Sequence, residues 1–118
     1  MRGSADKRSR GNPASHRPMV SELLEGRWRL ERLSGALPPL TLMGTRKEIR
    51  GDRGETRFGP FPGVSFRVEE REDCLALIYR APFSALVDEV RRESDGSWLG
   101  EATLGGRAFG KFRMTRVS

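Results

Sequence analysis

From Arg27 onward the chain alternates apolar and polar positions with a period of two. "RWRLERL" sets Trp28 and Leu30 against Arg27, Arg29 and Glu31, as a strand with one wet and one dry face requires. "VSFRVEE" sets Val64, Phe66 and Val68 against Ser65, Arg67 and Glu69, and "AFGKFRMTRV" sets Phe112 and Met114 against Lys111 and Arg113. "TRKEIRG" and "ETRFG" flank Gly51-Asp52-Arg53-Gly54, and "SALVDEVRR" and "SWLGEATL" flank Ser94-Asp95-Gly96. Both joints carry turn chemistry. Pro38-Pro39 in "GALPPLTLMG" and the cluster "GPFPG" exclude central strands there and predict loops. "REDCLALIYR" departs from alternation, running apolar from Cys74 to Tyr79. Such a run fits a strand covered on both sides, its outer face against a lid or a second copy of the chain.

Ahead of these strands, "MVSELLEG" has a capping Ser21, inward Leu23 and Leu24, and a terminating Gly26, which predicts a short N-terminal helix. Helical periodicity is otherwise almost absent. Short strands with a turn roughly every ten residues predict an all-β fold: an antiparallel meander of about eight strands closing into a small barrel. Closure removes the sheet edges that such a chain would otherwise expose.

Composition sharpens this reading in three ways. Among 118 residues, 36% are hydrophobic and 32% charged, so one lean core is expected. The formal charge of +6 is concentrated at the front. Arg2, Lys7, Arg8, Arg10 and Arg17 against Asp6 give residues 1–19 a charge of +4. Residues 1–18, rich in Gly, Ser, Pro and Arg, read as a disordered basic tail, and 19–118 as the barrel domain. No signal-peptide pattern and no membrane-length apolar run occurs, so a cytoplasmic location is expected. A single cysteine, Cys74, and a single histidine, His16 in the tail, leave no disulfide or zinc set.

Gly26-x-Trp28 on the first strand, with a late arginine, Arg113 or Arg116, on the last, resembles the lipocalin-like, or calycin, superfamily. The resemblance implies that Trp28 is a structural plug closing the barrel base and that an arginine stacks across it. Arginine's planar guanidinium suits an indole face. "LIYRAPFSALVDEVRR", "WLGEAT" and "FRMTR" are also similar to the C-terminal part of small bacterial lipocalin-like proteins of unknown function. Those carry a Tyr–Pro–Asp–Arg–Gly pattern, here Tyr79, Pro82, Asp88, Arg91 and Gly100. This chain departs from them after Trp28, where Arg29-Leu30 replace a glycine.

Candidate chemistry is sparse. Asp88 shares parity with Leu86 and Val90, so it should point inward and need a partner. Arg91 has the wrong parity, which leaves Arg80 or Arg113 as the expected cation. Together with Tyr79, Asp88 would form a polar floor for a ligand head group. Phe66 and Trp98 are candidate ligand contacts from the aromatic supply. Cys74 reads as an inert core thiol, Glu69, Glu70, Glu72 and Asp73 as a solvated turn, and the glycines as turn formers without a phosphate-loop fingerprint. No catalytic residue, metal ligand or cofactor motif emerges. The expected function is non-catalytic binding of a small apolar ligand in the lumen, with "GALPPLTLMG" and "GPFPG" as mouth loops. The alternative is an interaction module, through a homodimer seam along Cys74–Tyr79 or nucleic-acid contact by the basic tail.

Overall fold

The computed structural model describes residues 20–117. The expected tail at residues 1–18, His16 included, lies outside them. Eight antiparallel strands form one closed barrel. In chain order these are β1 (Gly26–Gly35), β2 (Thr45–Arg50), β3 (Arg53–Phe58), β4 (Val64–Glu70), β5 (Leu75–Tyr79), β6 (Leu86–Arg92), β7 (Trp98–Leu104) and β8 (Arg107–Arg116). Each strand pairs with the next, and β8 returns to β1 with Leu30 opposite Met114. The expected all-β meander and its closure are therefore present. The predicted helix is a single 3-10 turn, Val20–Leu24, which buries Leu24 and leaves Leu23 exposed rather than burying both.

That turn closes the base. Gly26 adopts φ +128°, a backbone state that side chains disfavour, and swings the chain from the 3-10 turn into β1. Trp28 follows, fully buried, its indole N–H donating to the Leu24 carbonyl at 2.7 Å. The Arg116 guanidinium lies 4.4 Å from the indole centroid and donates to the Glu25 and Leu23 carbonyls at 2.9 and 3.1 Å. One arginine thus stacks on the plug and satisfies carbonyls at the end of the 3-10 turn. Arg113 takes no part. Its odd register to Arg116 puts it on the outer surface, opposite Glu31 and Leu99.

Above the base, two glycines make room for aromatic rings. Gly54 pairs with Phe66, and Gly100 pairs with Phe112. A Cβ on Gly100 would sit 2.2 Å from the Phe112 ring, and one on Gly54 would sit 2.8 Å from the Phe66 ring. The rings lie flat in the spaces that missing side chains leave. Outside the barrel, Ala76 faces outward yet is buried. It stands in register between Glu69 and Glu89, and Arg71 reaches both, at 3.9 and 3.2 Å. Those long side chains of the same chain cover the apolar run of β5 at this point. No helix among the described residues is long and apolar enough to cross a membrane.

Candidate functional site

Plugged at the base, the barrel holds a cavity of about 300 Å³ at its other end. The mouth is built by the connections after β1, β3, β5 and β7. Leu37, Pro38 and Leu40 from the β1–β2 loop line it, with Phe83 from the β5–β6 loop and Phe58, Val64, Leu86 and Phe109 from the strand ends. Thr41 pins the first loop by donating its hydroxyl to the Leu30 carbonyl at 3.3 Å. Ala36 N–H donates to the Phe109 carbonyl at 2.7 Å. The walls are apolar. The floor is not.

Alternation along β2 turns Thr45, Lys47 and Ile49 inward and Arg46, Glu48 and Arg50 outward. A lysine is thereby carried to the centre of the barrel, where its side chain is only 1% exposed. Its ammonium donates three hydrogen bonds: to Thr56 Oγ1 at 2.6 Å, Tyr79 Oη at 2.8 Å and Asp88 Oδ2 at 2.8 Å. The Tyr79 hydroxyl also lies 3.0 Å from Asp88 Oδ2 and 2.6 Å from Thr56 Oγ1. Thr56 is the direct β3 partner of Lys47, while Asp88 on β6 reaches it across the lumen. The rings of Phe66, Tyr79 and Phe112 surround the ammonium at 5.1, 5.3 and 5.7 Å, their faces adding cation–π attraction.

Two opposing effects set the charge state. Burial would drive the Lys47 pKa down. The Asp88 carboxylate, through charge and a hydrogen bond, and the hydrogen-bonding Tyr79 oxygen outweigh it and hold the pKa above the ordinary lysine value. Burial pushes the Tyr79 phenol up, with Asp88 adding to the effect and Lys47 opposing it. The floor is therefore an ammonium–carboxylate pair with a neutral phenol, a cluster of zero net charge.

All three ammonium protons are committed. Among the described residues, Asp88 accepts through Oδ2 alone. Thr45 also lines the cavity, and its buried Oγ1 has no hydrogen-bond partner.

Of the residues anticipated from the sequence, Tyr79 and Asp88 line this cavity. The cation expected at Asp88 is corrected. Arg80 is exposed next to the β5–β6 loop, Arg113 is on the outer face, and Lys47 takes the place assigned to them. Arg91 also faces outward, 3.5 Å from Asp73. Phe66 and Trp98 do not line the cavity. Phe66 packs edge-to-face against its register partner Tyr79, with centroids 5.6 Å apart, and Trp98 lies nearer the base, opposite Met114 and Arg92. Cys74 is half-buried, and burial together with Glu89 pushes its thiol pKa up, which disfavours the reactive thiolate. No cluster of His, Cys, Asp and Glu among the described residues could hold a metal ion. The sequence reading missed Lys47, Thr56 and Thr45. The signal was present, because Lys47 shares parity with Ile49 in "TRKEIR". No family model, curated protein or solved structure matches the chain.

Proposed function

We propose that this protein is a lipocalin-like carrier that binds a small, largely apolar molecule in its lumen without transforming it. The observation carrying this reading is the 300 Å³ cavity, lined mostly by apolar side chains with a few polar groups at and near its floor. Ligand pockets share that plan: apolar surface supplies affinity and a few fixed polar groups supply orientation. The volume is at the small end of the usual range of about 300–1,000 Å³, so the ligand is small. The mouth supports an apolar entrant too, since Phe83 stays about half exposed at its edge, at 49%. Calycin kinship is supported by the eight-stranded closed meander and by the Gly26-x-Trp28 plug beneath Arg116. A carrier of this kind would act in the cytoplasm as a monomer or homodimer.

Hydrophobic-dye titration, with mass spectrometry of compounds extracted from the purified protein, tests this function. Saturable dye binding that Ala102→Trp abolishes is the expected result, because Ala102 lines the cavity and an indole there would occupy it. Dye binding indifferent to Ala102→Trp in a folded protein would refute a luminal site.

A further inference from the structure

We infer that the lumen selects apolar molecules whose polar end is a hydrogen-bond donor, a hydroxyl above all, and rejects carboxylates. The inference rests on the luminal-carrier reading and adds the chemical class of the ligand. A lysine at the floor of an apolar barrel suggests an anion site at first sight, but the hydrogen bonds say otherwise. A carboxylate ligand would need ammonium protons, and those of Lys47 go to Thr56, Tyr79 and Asp88. It would also meet the Asp88 carboxylate, a like charge in a low-dielectric setting.

Two vacancies remain on the cavity lining. Asp88 Oδ1 accepts nothing from the described residues, and the Asp88 side chain is 10% exposed where Lys47 is 1%. Thr45 Oγ1 is buried and unpartnered on a residue only 2% exposed. A buried hydroxyl lacking a partner is costly, and native interiors seldom leave one. An ionised carboxylate oxygen can only accept. The complementary group must therefore donate to Asp88, and it gains further by bonding Thr45. An alcohol or phenol supplies that proton to Asp88 and keeps lone pairs with which it can accept from a hydroxyl such as that of Thr45. An ether only accepts, and a hydrocarbon leaves both vacancies open. Charge balance agrees: because Lys47 and Asp88 already neutralise each other, a neutral ligand leaves no uncompensated charge in the lumen.

Calorimetric titration with four probes of one shape tests this: 4-ethylphenol, 4-ethylanisole, 4-ethyltoluene and 4-ethylbenzoate. The phenol should bind at least tenfold more tightly than the ether or hydrocarbon, with the benzoate weakest. Thr45→Val, close in shape, should weaken the phenol severalfold relative to 4-ethyltoluene. Equal affinities for the three neutral probes, or a preference for the benzoate, would overturn the donor rule while leaving luminal binding intact. Binding by none of them at millimolar concentration would overturn the carrier reading as well. An unchanged phenol affinity in Thr45→Val would remove Thr45 from the site.

Discussion

Replacing Lys47 by methionine removes the ammonium at the barrel's centre while nearly preserving side-chain volume. In the wild-type protein the ammonium lies 2.8 Å from Asp88 Oδ2 with both side chains out of water. At that separation and an effective dielectric constant of ~20, opposite unit charges attract by about 6 kcal/mol. Desolvating the two ions costs several kcal/mol each, so relative to an apolar pair the net is small. Removing one partner is a different matter. It leaves a buried carboxylate that has lost its countercharge, with an expected cost of about 3–5 kcal/mol. For a domain whose total stability is about 5–15 kcal/mol, that is a large fraction. At a urea slope near ~1.5 kcal/mol/M, a loss of about 4 kcal/mol lowers the midpoint by roughly 2–3 M. The double variant Lys47→Met/Asp88→Leu should recover most of the loss, since no unpaired charge remains. Urea unfolding followed by tryptophan fluorescence reads both effects. A midpoint shift under ~0.5 M, or a double variant no better than the weaker single one, would show that the pair is not the buried, mutually compensating unit described.

Three further outcomes follow from the same structure. Because the Lys47 and Tyr79 pKa values are both raised, their stabilising contributions are complete below the unfolded-state values and fade as pH climbs through the folded ones. Thermal melts should accordingly hold through neutral pH and drop above pH ~10, and a flat alkaline limb would contradict the two shifts. Trp28→Ala should cost about 3–5 kcal/mol in chemical denaturation. Arg116→Ala, which loses the stack and two carbonyl bonds, should cost about 1–2 kcal/mol, and equal costs would mean that the guanidinium, not the indole, closes the base. Gly100→Ala should destabilise by about 1–3 kcal/mol, since its Cβ would meet the Phe112 ring at 2.2 Å. Phe112→Leu should relieve part of that penalty in the double variant, and strict additivity of the two would argue against the contact.

The chain's own pattern determined the strands, the turns and the direction in which most side chains face. Period-two alternation and glycine-rich joints are local, so "RWRLERL" and Ser94-Asp95-Gly96 are readable without knowing what packs beside them. The inward aim of Asp88 was readable for the same reason, and so was its nearness to Tyr79 on the adjoining strand. The tertiary structure alone decided which cation meets Asp88. Lys47 and Asp88 stand 41 residues apart on β2 and β6, which share no backbone ladder and face each other only across the lumen. Strand tilt and stagger set which levels oppose one another across a closed barrel. The choice of Arg116 over Arg113 at the plug was instead local, since Arg116 shares parity with Phe112 and Met114 and Arg113 does not. Local alternation could announce a charge pointing inward, but only closure of the barrel could bring it to its partner.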